Sequence, residues 1–306
     1  MTTFAELTTI AVGGNIDHFV EPTTRVSIIE EVEHADFHGL VLRDARRLIT
    51  VPDEAAPVES DDRTVHVTAE AGCNWDDLVD FCVDRGLEGI EGLSGIPGTV
   101  GASVVQNIGA YGQEVATSVE SVEVWDREDK QTKTLTNVEM QFGYRSSLLK
   151  TSMYKAPGVP NDEFYPSPRY IVLSVTFALT HTEEGTVNYA QLASALQVNL
   201  GDRMPIGRIR AAVLGVRAGK GMLEDATRYR LPVMQACKRE DQIERAIEAQ
   251  QRFINTHDTP ADVVDEQMMA VTGQNEDVNR HSCGSFFMNP IVSQSIADRL
   301  PDDAPK

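Results

Sequence analysis

Four cysteines are spread through 306 residues, at Cys73, Cys82, Cys237 and Cys283, and no two form a CxxC pair. A zinc ribbon and a disulfide framework both need closely paired cysteines, so neither is implied and a reducing compartment fits best. Long apolar runs are also missing. The longest, Tyr170 to Leu179, is too short to span a bilayer, and no basic start leads into an apolar core, so the expectation is a cytoplasmic chain free of membrane. Positive charge is scarce: 27 Lys and Arg against 47 Asp and Glu give a net charge of −20. That balance opposes nonspecific contact with nucleic acid or an anionic membrane, and it requires any anionic ligand to be held by a local basic cluster. Internal repeats and low-complexity tracts are absent. So are GxGxxG after a strand, a Gly-Lys-Ser/Thr loop and GxSxG, which removes the common nucleotide loops and the hydrolase elbow.

What the chain does have is enough apolar content, 41%, to bury real cores, and a length that suits two or three domains. Its densest feature is glycine at every third position from Gly86 through Gly101, returning at Gly109 and Gly112. The run is too short and too poor in proline for a collagen repeat, and Ile90, Leu93, Ile96, Val100, Val104, Val105 and Ile108 are too apolar for a linker. Glycine serves where φ is positive or another group comes close to the backbone. The reading is a packed, bare backbone surface wrapping a large flat ligand, its amides free for phosphate or ring heteroatoms.

Around this segment, strands and helices mix without regular βαβ alternation, which predicts an α+β fold. Short strands are expected around the Gly13-Gly14 turn, then a helix capped by Thr24 with Val26, Ile29 and Val32 on its apolar side. Thr64–Glu70 and Ser118–Trp125 alternate as strands, the turn at 126–130 leads into a hairpin, and Asn137 is expected to cap a turn. Asn74 caps a helix ending at Gly86, with Trp75, Leu78, Val79 and Cys82 on one face. Tyr170–Leu179 is apolar on both faces and so central in its sheet. Pro205 suits the first turn of a helix carrying Ile206, Ile209, Val213 and Val216, and Glu240–Phe253 is a further amphipathic candidate. Arg43, Arg46 and Arg47 could serve a phosphate or form salt bridges. Ser285, before two phenylalanines, could expose a hydroxyl in an apolar pocket or be an ordinary turn serine. Arg145 could hold a carboxylate bidentately or join a salt bridge.

Three ordered motifs, GIPGTVGASVVQNIGAYG at 95–112, FGYRSSLLK at 142–150 and CGSFFMNP at 283–290, resemble those of the UDP-N-acetylenolpyruvoylglucosamine reductases, FAD-dependent enzymes of cell-wall precursor synthesis. The resemblance covers roughly Phe4 to Val292. It implies two α+β FAD-binding subdomains of the vanillyl-alcohol-oxidase-like type, at 1–63 and 64–201. A bridging helix and partial substrate-binding domain follow at 202–306, with an insertion at about 224–280. It implies a monomer that takes electrons from NADPH through FAD and reduces the enolpyruvyl group of a UDP-sugar, with no metal.

By the same resemblance, Gly95, Ile96, Pro97, Gly98, Gly101, Ala102, Gln106, Asn107, Gly109, Ala110 and Tyr111 contact the cofactor. Ser285 protonates the enolpyruvyl carbon, and Arg145 steadies the substrate carboxylate. Tyr189 closes over the diphosphate, Lys220 lies near substrate and nicotinamide, and Asn289 contacts substrate. Two positions depart from the family. LRDARRL at 42–48 stands where the relatives carry a glycine-rich pyrophosphate loop, so weak FAD binding is expected. No residue after Pro290 matches the family's Glu-Pro-Glu-like catalytic glutamate, so slow turnover is expected. The alternative functions are a non-catalytic nucleotide-binding remnant and another oxidoreductase on the same flavin fold.

Overall fold

The structure, a computed structural model, describes residues 1–34, 40–51, 62–153, 168–220, 222–224, 226–245 and 248. The chain opens on a helix instead of the expected strand. Thr3 and Glu6 form a reciprocal capping box that starts helix α1 (Phe4–Leu7). The turn at Gly13, φ 115°, then folds back against Phe4. Strand β1 (His18–Val20) leads to helix α2 (Arg25–His34), where the Thr24 hydroxyl accepts the Ser27 amide at 3.0 Å as a cap. Its buried anchor is Ile28, 1% exposed, whereas Val26 is 64% exposed; the helix is covered along one edge only. Strand β2 (Leu40–Leu42) pairs in parallel with β1.

Strands β3 (Ile49–Thr50) and β4 (Thr64–Glu70) precede helix α3 (Trp75–Val83), capped by the Asn74 side chain at the Asp77 amide. The helix closes where Gly86, φ 68°, bonds back to the Val83 carbonyl. Strand β5 (Leu87–Glu88), a 3₁₀ turn at Glu91–Leu93, helix α4 (Val100–Ser103) and the short hairpin β6 (Gly109–Ala110) with β7 (Gln113–Glu114) make up the glycine segment. The hairpin β8 (Val119–Asp126) with β9 (Gln131–Thr136) follows as expected. Asn137 caps nothing; its amide donates to the Ala116 and Val119 carbonyls and ties the end of β9 to the start of β8 and the turn before it. Next come helix α5 (Leu148–Ser152), strands β10 (Tyr170–His181) and β11 (Glu184–Thr186), helix α6 (Ala190–Leu196), strand β12 (Arg203–Pro205) and helix α7 (Ile206–Gly219). Pro205 is the last residue of β12, one place before α7, where its fixed φ still suits the entry.

One antiparallel sheet, in the order β3-β4-β10-β8-β9 with β5 also on β10, carries the main core and puts β10 at its centre. Val65, Val67 and Ala69 alternate inward from β4, and Val122 and Val124 from β8. They meet Trp75, Leu78, Val79 and Cys82 of α3, and Ile90, Leu93, Val100 and Val104 of the glycine segment. Trp75 and Phe177 stack at 6.0 Å, and burying each large side chain contributes roughly 1.5–3 kcal/mol. This mixture of helices with an antiparallel sheet is the expected α+β fold.

The polar face of α3 is buried as well. Arg210 of α7 donates to Asp76 at 2.7 Å and to Asp80 at 3.1 Å, and Lys238 donates to Asp77 at 2.7 Å. Three acids on one helix therefore fasten both α7 and the segment 226–245, whose Tyr229, Met234, Cys237 and Ile243 form a small core of their own.

Candidate active site

The glycine segment divides into a buried half and an open half. Glu91, Leu93, Ser94, Val100 and Gly101 are buried, and their surroundings use up the backbone. The Gly95 amide donates to Asp76 at 2.7 Å, Val100 to the Cys73 carbonyl at 2.9 Å and Gly101 to the Ala71 carbonyl at 2.9 Å. The expectation of amides left free for a ligand is thus corrected at these positions. Gly101 is needed because a Cβ would stand 2.8 Å from that of Ala71. Gly98 is different: exposed, at φ 116°, with nothing within 4 Å of the place its Cβ would take. Together with Ile96 and Pro97, half-buried, and Ala102 and Gln106, exposed, it forms an open, nearly side-chain-free strip.

Arg145 closes one end of the strip. Its guanidinium donates to the Asn107 carbonyl at 3.1 Å and the Gly109 carbonyl at 2.8 Å, and its own backbone is left-handed at φ 51°. Asn107, also left-handed at φ 50°, is buried and satisfied: its amide donates to Glu114 at 2.9 Å and the Gly143 carbonyl at 3.1 Å, and its oxygen accepts from Ala116 at 3.0 Å. Lys150, which the sequence reading passed over, donates to the Arg145 carbonyl at 2.9 Å and to Gln106 at 3.4 Å. Motif two is thus stapled to motif one.

At the other end, Gly112 at φ 83° lies so close to Asn188 that a Cβ would stand 2.8 Å from its carbonyl oxygen. That approach sets the Tyr111 and Tyr189 rings edge to face at 5.6 Å, with Ala110 alongside. Helix α7 ends here. Lys220 donates to Gln191 at 2.8 Å, and Arg217, one turn earlier, bonds the Tyr111 hydroxyl, whose pKa burial raises. Arg217 also lines Gly95, on the same buried face of α7 as Arg210 and Val213. Among the described residues none of Arg145, Lys150, Arg217 and Lys220 lies within ion-pair distance of a carboxylate. Ser285 and Asn289 lie outside the described residues.

The arginines of LRDARRL take the structural option. Arg43 bonds Glu21 at 3.0 Å, Arg46 bonds Asp44 and the Leu173 carbonyl, both at 2.7 Å, and Arg47 bonds the Arg46 carbonyl at 2.8 Å. A cleft of about 880 Å³ lies beside them, lined by Cys73, Asn74, Asp77, Tyr229, Lys238 and Arg239 among others, and shares no residue with the strip. Burial pushes the Cys73 thiol up to about 12, so no thiolate is on offer there.

The α+β core thus carries an open glycine strip with, among the described residues, cations lacking a carboxylate at both ends, and residues 54–135 match the family described as FAD binding domain. The reductase from Mycolicibacterium gilvum, a UDP-N-acetylenolpyruvoylglucosamine reductase, is 36% identical across 97% of this chain and 69% of its own length. The protein of that name from Thermobifida fusca is 36% identical over 72% of this chain and 62% of its own length. The chain belongs to the UDP-N-acetylenolpyruvoylglucosamine reductase family. It spans 62% and 61% of the length of the Thermobifida fusca and Salinispora arenicola relatives. The crystal structure of the Thermus caldophilus reductase superposes with a TM-score of 0.47, at 23% identity, over 71% of this chain and 68% of that one.

The residues present fit FAD at its ring end. The open space at Gly98, beside the half-buried Pro97 and the exposed Ala102 and Gln106, is compatible with a flat ring. The 42–48 loop fits less well, since its guanidinium groups are spent on the protein and the α-carbon of Gly72 is covered by Asp44 and Arg47.

Proposed function

We propose that this chain is an NADPH-dependent, FAD-dependent reductase that converts UDP-N-acetylglucosamine enolpyruvate to UDP-N-acetylmuramate in the cytoplasm. The observation carrying this reading is Arg145: a guanidinium held on two carbonyls of the glycine strip, with no carboxylate within ion-pair distance among the described residues, in a protein of net charge −20. Such a group is ready for a ligand carboxylate. When bound, FAD supplies the hydride chemistry. The chain's own residues do the remainder. Arg145 orients the enolpyruvyl carboxylate and stabilises negative charge developing on it, while Tyr189 and Lys220 hold the UDP end. Ser285 of the third motif donates the proton to the carbon next to the carboxylate, and Asn289 orients substrate. The experiment is direct: the purified protein is loaded with FAD, bleached with NADPH and given the enolpyruvyl substrate. Return of the yellow colour with formation of UDP-N-acetylmuramate supports the reading. A flavin that only oxygen reoxidises overturns it and favours the non-catalytic alternative, which the spent arginines of LRDARRL also favour.

A further inference from the structure

The backbone that carries the Arg145 guanidinium is held in place by a neighbouring carboxylate. Glu114 lies in β7 as the register partner of Gly109 across the β6–β7 hairpin. Its Oε2 accepts from the Asn107 amide at 2.9 Å, and the same nitrogen donates to the Gly143 carbonyl at 3.1 Å, while the Asn107 oxygen accepts from Ala116 at 3.0 Å. Asn107 is 1% exposed, so its side chain faces protein on all sides. What it gives the site is its carbonyl, which with that of Gly109 receives the guanidinium. Two features make this arrangement demanding. Asn107 stands at φ 50°, a conformation that asparagine tolerates better than most residues and that its three side-chain bonds hold. Gly109 admits Glu114 and Arg145 side by side: a Cβ there would stand 3.0 Å from the Glu114 Cγ and 3.1 Å from the Arg145 Nη1. A carboxylate suits the place, because the Asn107 nitrogen needs an acceptor and a carboxylate has no donor to misplace.

We propose that Glu114 is a positioning residue for Arg145: through the Asn107 amide it fixes the two carbonyls on which the guanidinium rests, and so sets the direction in which Arg145 meets the carboxylate of its ligand. This rests on the reductase reading, in which Arg145 takes that carboxylate. Glu114 acts through Asn107 and Gly109, and its contribution is orientation, which a bidentate contact with a carboxylate depends on.

The full chain and its Glu114→Ala and Glu114→Gln variants, loaded with FAD, are titrated calorimetrically with UDP-N-acetylmuramate, which carries the carboxylate, and with UDP-N-acetylglucosamine, which lacks it. The ratio of the two affinities isolates the carboxylate contact from the rest of the site. Wild type is expected to favour the carboxylate about 10- to 100-fold, the usual worth of hydrogen bonds to a charged group. Glu114→Ala is expected to lower that preference about 10-fold while binding UDP-N-acetylglucosamine as wild type does. Glu114→Gln, whose amide oxygen can still accept from Asn107, is expected to restore most of it. Parallel weakening of both ligands in Glu114→Ala would make Glu114 a support for the fold and overturn the proposal, as would an unchanged ratio. Should Glu114→Ala not fold, Asn107→Asp carries the test, since it keeps the size of the side chain but sets a second carboxylate against that of Glu114. A reduced ratio in that variant supports the proposal, and a wild-type ratio overturns it. A wild-type protein with no preference for the carboxylate overturns the reading of Arg145 itself, a failure seen before any substitution is made.

Discussion

Arg145 and Glu91 put charge in opposite situations on the same glycine segment. Arg145 sits in a left-handed backbone conformation that costs an arginine of order 1 kcal/mol, and the strain is held by its own bonds to Asn107 and Gly109 and by Lys150 on its carbonyl. Arg145→Lys keeps the charge and loses the fork, so substrate-dependent flavin reoxidation is expected to slow by about 10²- to 10³-fold in stopped-flow absorbance, with NADPH bleaching unchanged. Glu91 is fully buried with amide partners only, Gly89 and Gln113. Burial raises its pKa, and those bonds pull it back only in part. A carboxyl whose folded pKa exceeds its unfolded one adds stability below the ordinary Glu range and loses it as pH rises through the folded value. Urea midpoints compared between about pH 5 and about pH 8 are therefore expected to shift in favour of Glu91→Gln as pH rises, and a parallel pair of curves would show that Glu91 stays ionised throughout. Arg145, Tyr189 and Lys220 could be singled out as candidates because each sits in a short motif. The burial of Arg217 could not be read, because an arginine on an amphipathic helix reads as solvent-facing until the partner that buries it, here the Gly95 loop, is in view.

Helix α3 shows where patterning succeeds and where it stops. Trp75, Leu78, Val79 and Cys82 repeat at helical spacing and face the sheet as expected, since hydrophobic burial follows periodicity. The sequence says nothing of the opposite face, where Asp76, Asp77 and Asp80 look like solvated charge but are covered by α7 and 226–245. Likewise Thr3 and Glu6 spell a capping box that outweighed the nearby glycines, and the α2 edge chose Ile28 over Val26 through tertiary contact alone. Burial tends to raise the Asp76 pKa, but Arg210 and Lys238 outweigh it and hold the group well below the usual carboxylate range. Its stabilisation is present above the unfolded Asp pKa and is lost as pH falls through the folded value. Asp76→Asn removes a carboxylate from Arg210 and Lys238, which keep Asp80 and Asp77, and a loss of about 1.5–3 kcal/mol is expected in urea denaturation at neutral pH. The gap to wild type should narrow in acid. A loss below about 1 kcal/mol would mean that Asp80 and Asp77 carry the clamp without it.

At the scale of the whole molecule, the proposed chemistry depends on three motifs separated by almost two hundred residues meeting on one strip. Two of them are joined by the Arg145, Lys150 and Asn107 bonds. The third, CGSFFMNP at 283–290, is proposed to supply the acid, and that role is testable by separating the two halves of turnover. Accepting electrons from NADPH requires no proton donor at the substrate carbon, whereas finishing the enolpyruvyl group does. Ser285→Ala, loaded with FAD, should bleach with NADPH at the wild-type rate. It should then recover its colour with the enolpyruvyl substrate more slowly by roughly 10²- to 10⁴-fold, the usual size of a general-acid effect. Ser285→Cys, which keeps a proton at a similar position, should restore part of the second rate and shift its pH profile. Equal slowing of both halves in Ser285→Ala would make the serine a support for the fold of its segment instead of a proton donor. Unchanged rates in both would mean that another group, outside all three motifs, delivers the proton.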